Sequence, residues 1–68
     1  MNYYEWSIDY YQTARDVNKS IENLKIERKK APKSVTKELD SRISEYKRIY
    51  NDCMHIANHL MNRHYGLN

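Results

Sequence analysis

The sequence predicts an all-α fold: an antiparallel two-helix hairpin that we expect to dimerise into a four-helix bundle. Apolar residues recur at alternating steps of four and three along both halves of the chain, the period of a helix that buries one stripe. One glycine and one proline among 68 residues leave too few turns for a multi-stranded sheet. We therefore predict one domain over 1–68, with helix 1 at about 3–30, a loop at 31–34 and helix 2 at about 35–64.

The first helix should begin at a capping box and end just before the proline. Asn2 can accept a hydrogen bond from the backbone N–H of Glu5, and Glu5 can reach back to Asn2. Pro32 disfavours helical geometry at Ala31, so the helix should stop near residue 30. The predicted buried stripe, in which Trp6 and Ser7 bridge a gap of seven, is Tyr3, Tyr10, Ala14, Val17, Ile21 and Leu24.

The second helix carries the wider apolar face. Ile49 and Ile56 widen its stripe on one flank, while Met54 and Met61 widen it on the other. This surface exceeds what one facing helix can cover, and it is the basis for expecting a homodimer. The stripe itself is Leu39, Ile43, Tyr46, Tyr50, Cys53, Ala57, Leu60 and His64.

The sequence also predicts the ends of the second helix and the register of the hairpin. Ser34 is a favourable N-cap, and Gly66 is a favourable stop. If the loop centres near residue 32, facing residues should have numbers that sum to roughly 65, because both helices rise equally per residue. That register places Ala14 opposite Tyr50 and Cys53.

Size and composition indicate a small cytoplasmic protein. A chain of 68 residues has a limited core, and the single cysteine excludes an internal disulfide framework and fits a reducing compartment. The first six residues resemble no secretory signal, and no stretch is long and apolar enough for a membrane span, so we expect no membrane partner. Abundant Asn, Lys, Tyr and Ile suit an AT-rich genome, such as that of a phage or other mobile element.

An aromatic patch is the first candidate site. Tyr4, Ile8 and Tyr11 follow one another at i, i+4 and i+7, and the hairpin should bring His59 and Arg63 beside them. Exposed apolar patches mark interaction sites without naming the partner. We therefore predict a non-enzymatic adaptor, inhibitor or regulator that binds another protein of unknown identity. The alternative is that this patch is the homodimer contact.

A basic tip is the second candidate. Six basic residues and one acid lie between Lys25 and Lys37, a local net charge of +5 in a chain of net +3. The residues able to contact phosphates are Lys29, Lys30, Lys33 and Lys37. A nucleic-acid-binding regulator is therefore the alternative function. The competing interpretation is a solvated loop whose cations terminate helix 1.

A metal- or pH-responsive switch through His55, His59 and His64 is the third reading. His55 and His59 are spaced i, i+4, but the helical period directs both away from the buried stripe, so we expect no metal site. The thiol of Cys53 has no base within reach along its helix, and neither paired carboxylates nor a cofactor motif is present. The sequence predicts neither an enzyme nor a cofactor.

Overall fold

Two long helices form an antiparallel hairpin in the computed structural model, which describes residues 2–66. Helix α1 spans Tyr3–Lys30 and helix α2 spans Lys33–His64, with Ala31 and Pro32 between them. The helices pack along their length in a rod of 50 × 16 × 14 Å. The all-α class and the hairpin are confirmed.

Helix α1 begins at the predicted Asn2 cap and ends before the proline, but only the Asn2 half of the predicted capping box is found among residues 2–66. Asn2 has an extended backbone, and its side-chain oxygen accepts a hydrogen bond of 3.2 Å from the N–H of Glu5. At the other end Ala31 leaves the helix with a ψ of 147°, as expected for a residue that precedes proline. Arg28, Lys29 and Lys30 occupy the last turn, where cations suit the negative end of the helix dipole.

Helix α2 begins earlier than expected, and its predicted cap is wrong. Pro32 occupies the N-cap position, where no side chain caps the helix, and Ser34 lies inside the first turn. Proline suits this site because its fixed φ, here −66°, is compatible with an extended cap. Its carbonyl accepts from the N–H of Val35 at 2.9 Å. At the far end Gly66 adopts a φ of +68° and its N–H donates to the carbonyl of Arg63, which is the predicted glycine stop.

Small residues and aliphatic residues together line the seam between the helices. On α1 the buried side chains are Ser7, Ala14 and Ile21, seven residues apart and at most 3% exposed. On α2 they are Leu39, Ile43, Cys53, Ala57 and Leu60. The placement of Tyr10 and Trp6 in the seam is wrong, because they are 37% and 48% exposed. Helices that meet at serine and alanine approach closely, which leaves no room between them for aromatic rings.

The register of the hairpin also differs from the expected one. Residues that meet across the interface have numbers that sum to between 66 and 69, and three pairs sum to 68: Ser7 with Met61, Tyr4 with His64 and Arg28 with Asp40. The expected sum was roughly 65. The shift is close to one helical turn, so the first turn of α2 accounts for much of the chain reversal that the prediction assigned to the loop.

Truncation of Ile21 tests the seam. Ile21→Ala should lower the free energy of unfolding by about 2–4 kcal/mol, because the side chain is 3% exposed and its loss leaves a cavity. The matched control is Ile26→Ala on the same helix, whose side chain is 52% exposed. We expect the control to change stability by less than about 0.5 kcal/mol in urea unfolding. Equal losses for the two variants would contradict the seam.

Candidate functional site

An open groove runs along one side of the interface. Its volume is about 490 Å³. Its lining comes from both helices: Ile8, Tyr11, Ala14, Arg15, Asn18, Tyr50 and Met54. The hydroxyl of Tyr11 donates a hydrogen bond of 2.6 Å to the side-chain oxygen of Asn58 and so ties the two helices together at this side. We call this side of the hairpin the groove flank.

The predicted aromatic patch is divided between the two sides of the seam. Ile8 and Tyr11 both line the groove, and Tyr4 lies one turn before Ile8 with its ring 5.3 Å from that of His64. Arg63 lies instead over the ring of Tyr3, at 5.9 Å from its centre. Tyr3 and Tyr4 precede the buried seam residue by four and three positions, so they lie on opposite sides of it. The structure thus brings Tyr4, Ile8 and Tyr11 together and places Arg63 elsewhere.

His59, the remaining member of the predicted patch, is exposed on α2. It lies five residues after the groove residue Met54, which is about 140° around the helix, so it points away from the groove. The patch prediction missed the two groove residues on this helix, Tyr50 and Met54. Both were visible in the sequence, Tyr50 as a member of the predicted stripe and Met54 as a residue that widens that stripe on one flank.

A second apolar surface lies on the opposite side of the hairpin. Its exposed residues are Trp6, Tyr10, Ile49 and Ile56. Arg63 lies over the ring of Tyr3, so these two residues are on the same side of the hairpin. Ile56 and Ile49 precede Arg63 by seven and fourteen residues, and Tyr10 follows Tyr3 by seven, so all three lie on that side as well. We call this side the isoleucine flank. The apolar spacing of the sequence predicts the two isoleucines on one flank, as found, but predicts Trp6 and Tyr10 in the seam.

The groove flank is bordered by cations. Arg15 lines the groove, and Lys19 follows it by one turn on α1. On α2, Lys47 precedes Met54 by seven residues and therefore lies in the same row. All three are exposed. An occupant of the groove would meet positive charge on both helices.

The isoleucine flank is bordered by acids. Asp52 lies between Ile49 and Ile56, three residues after the first and four before the second. Glu45 precedes Ile49 by one turn on the same side of α2, and both carboxylates are exposed. On α1, Asp9 and Asp16 form the outer edge. The border of the isoleucine flank is thus predominantly acidic and that of the groove flank predominantly basic, although Arg48 and Arg63 also lie on the first and Glu22 on the second.

The basic tip contains an ion pair that the sequence reading missed. The guanidinium of Arg28 donates to both carboxylate oxygens of Asp40, one of these contacts being 3.3 Å long, and this pairing raises the pKa of Arg28. Twelve residues separate the two in sequence, so a search at helical spacings could not find the pair. A second ion pair near the tip joins Glu38 to Arg42 one turn later at 3.7 Å. The four tip lysines predicted as possible nucleic-acid contacts are all exposed: Lys29, Lys30, Lys33 and Lys37.

The histidines and the cysteine have separate surroundings. His64 contacts the rings of Tyr4 and Tyr65, with centres 5.3 and 4.9 Å away, whereas His55 and His59 are exposed. Within residues 2–66, no three His, Cys, Asp or Glu side chains are arranged to hold a metal ion. The thiol of Cys53 is buried in the seam.

Comparison of the chain with protein-family models, with curated proteins and with solved structures finds no match. Neither helix of the described residues 2–66 is long and apolar enough to cross a membrane.

Removal of the carboxylate at the tip tests the ion pair. Asp40→Asn should lower the melting temperature slightly at low salt, because Arg28 loses its partner. The difference in melting temperature between the variant and the original protein should vanish at ~1 M salt, where the Debye length is about 3 Å. Asp52→Asn is the control, since the ion pairs found among residues 2–66 do not include Asp52. A salt-independent loss in the Asp40 variant would contradict the electrostatic explanation.

Proposed function

We propose that the protein is a small non-enzymatic adaptor or inhibitor that binds another protein through the groove flank. The partner segment that we propose is an acidic amphipathic helix. The observation that carries the proposal is the open groove itself, which combines an apolar lining with cations on both helices. The proposal retains Tyr4, Ile8 and Tyr11 from the predicted patch and adds Met54 and Arg15.

The shape of the groove suits a helix. The groove follows the long axis of the hairpin, where Ile8, Tyr11 and Asn18 succeed one another on α1 and Tyr50 and Met54 face them on α2. A helix laid in such a groove inserts apolar side chains at i, i+3, i+4 and i+7. Methionine adapts its side chain to irregular contacts, which suits a docking surface.

The groove is also preorganised. The hydrogen bond from Tyr11 to Asn58 fixes the tyrosine ring beside the groove before a partner arrives. A side chain that is already held in its bound position loses less conformational entropy on binding. Tyrosine and arginine are also the residue types that concentrate at the centres of interfaces. Tyr11 and Arg15 are therefore the residues on which we expect affinity to depend most.

Charge selects an acidic partner. Arg15, Lys19 and Lys47 would pair with carboxylates on a helix whose apolar face enters the groove. Charges that complement those of the partner accelerate association and disfavour the binding of partners with like charge. Affinity should consequently fall as salt is added, while the apolar contribution persists.

Homodimerisation into a four-helix bundle stays a prediction. A symmetric dimer pairs a surface with itself. Through the groove flank such pairing sets cations against cations, and through the isoleucine flank it sets acids against acids. Any self-association should therefore strengthen with salt, the opposite of the behaviour expected for the partner complex. Sedimentation velocity at low and high salt measures it.

Peptide titration tests the proposed function. The probes are a designed amphipathic Leu/Glu helix of about 18 residues, a matched Leu/Lys helix and a DNA duplex of about 20 base pairs. With 13C-labelled methionine methyl groups, the Leu/Glu helix should shift the signals of Met54 and Met61. Ile8→Ser should weaken binding about tenfold, the equivalent of ~1.4 kcal/mol of lost burial. The charge reversal Arg15→Glu with Lys47→Glu should weaken it further.

The control for both variants is Glu45→Lys, which changes the charge of the isoleucine flank and should leave affinity for the Leu/Glu helix within about twofold. Binding of the Leu/Lys helix at the labelled methyl groups with equal affinity would contradict the acidic partner. Salt-sensitive DNA binding that is lost on charge reversal of Lys29 and Lys30, without any binding of the Leu/Glu helix, would favour the nucleic-acid function instead.

A further inference from the structure

The isoleucine flank forms an apolar surface that is separate from the groove. Its four large side chains, Trp6, Tyr10, Ile49 and Ile56, are each more than a third exposed. On each helix the two residues are one turn or two apart, so all four follow one side of the hairpin as a strip. A contiguous apolar strip of this kind on a small protein marks an interaction site.

The charges around this strip define its occupant. Glu45 and Asp52 lie beside the isoleucines on α2, and Asp9 and Asp16 lie along the outer edge of α1. All four carboxylates are exposed, and none of them belongs to an ion pair found among residues 2–66. Two cations also lie near the strip, Arg48 next to Ile49 and Arg63 over Tyr3 at one end, so four acids face two cations and the net charge is negative.

A second copy of the chain fits this strip poorly. In a symmetric dimer with the two-fold axis parallel to the helices, the acids of α1 would meet those of α2 from the partner. With the axis across the helices, the carboxylates of each helix would meet their own equivalents. Because the acids on this flank outnumber its cations, both arrangements bring two surfaces of net negative charge together, which opposes association.

We propose that the isoleucine flank binds a cationic amphipathic helix, one whose apolar stripe is bordered by lysine or arginine. Its apolar stripe would cover Ile49, Ile56 and Trp6, and its cations would pair with Glu45 and Asp52. Arginine on such a helix could also stack on the indole of Trp6. The flanks face in opposite directions, so a cationic helix here leaves the groove open, and the protein can bridge two partners of opposite charge.

This inference does not depend on the proposed function of the groove, since the two flanks share no exposed residue. Its test uses Trp6, the single tryptophan of the chain, which lies within the strip. The designed Leu/Lys helix, made without tryptophan, should shift the emission of Trp6 to shorter wavelength and saturate as a single-site titration. The matched Leu/Glu helix should leave the emission unchanged.

Two variants define the charge requirement. The charge reversal Glu45→Lys with Asp52→Lys should weaken binding of the Leu/Lys helix by at least tenfold, and the neutral pair Glu45→Gln with Asp52→Asn should weaken it by a smaller factor. Circular dichroism confirms that each variant remains helical. The control Arg15→Glu lies on the groove flank and should leave the Trp6 titration within about twofold.

Three results would overturn the inference. The first is a Trp6 shift of equal size with both peptides, because it would show that apolar contact alone suffices. The second is an unchanged affinity for the Leu/Lys helix in the charge-reversed pair. The third is a concentration-dependent Trp6 shift in the protein alone with dimers in sedimentation, which would assign the strip to a second copy. If the groove titration fails while the Trp6 titration succeeds, only the proposed function of the groove is lost.

Discussion

The close approach of the two helices at Ser7, Ala14 and Ala57 is the constraint on which the rest of the structure depends. Ser7 and Ala57 are fully buried, and Ala14 is 1% exposed. Because these side chains are small, the seam is narrow. Ser7 is also satisfied within the seam, because its hydroxyl donates to the carbonyl of Tyr4 at 2.6 Å. A buried hydroxyl without such an acceptor would destabilise the fold.

The narrow seam directs the aromatic side chains outward. Tyrosines at positions four and three before each small residue fall on opposite sides of the interface, so Tyr3 and Tyr10 face one flank while Tyr4 and Tyr11 face the other. Each flank consequently combines rings from α1 with apolar residues from α2. The rows just outside these residues carry the charges, predominantly acids on one side and predominantly bases on the other. The same spacing that builds the seam therefore builds two surfaces of different chemistry.

The sequence predicted the fold well because the signals are local. The four-and-three periodicity, the Asn2 cap, the proline after α1 and the glycine after α2 each act within one or two turns. The register was less predictable because it depends on where small residues meet, and the stripe around Trp6 and Ser7 allowed either residue to face α2. The serine faces inward because its volume fits a close helix contact, whereas the indole does not. The Arg28–Asp40 pair depends on that register, and so it could not be found from helical spacing.

For the candidate site, the sequence located Tyr4, Ile8 and Tyr11 on one side of α1 and Met54 and Met61 on one side of α2. The prediction did not combine these residues into one site, because it placed the aromatic patch at the open end of the hairpin and included Arg63, which lies on the other flank. The charge difference between the flanks was hidden for the same reason. Summing charge along the sequence reveals only the basic cluster near the loop. The charge of each flank becomes visible only when residues are grouped by the side of the helix on which they lie.

The measurement that tests the seam and its register most directly is a nuclear Overhauser spectrum of the protein with labelled methionine methyl groups. The methyl of Met61 should show strong effects to the β protons of Ser7, since the sulfur lies 3.9 Å from the serine oxygen. The methyl of Met54 should show them to Ala14, with which it lines the groove. Strong effects from both methionines to Trp6 and Tyr10 instead would place the aromatic residues in the seam and contradict the account.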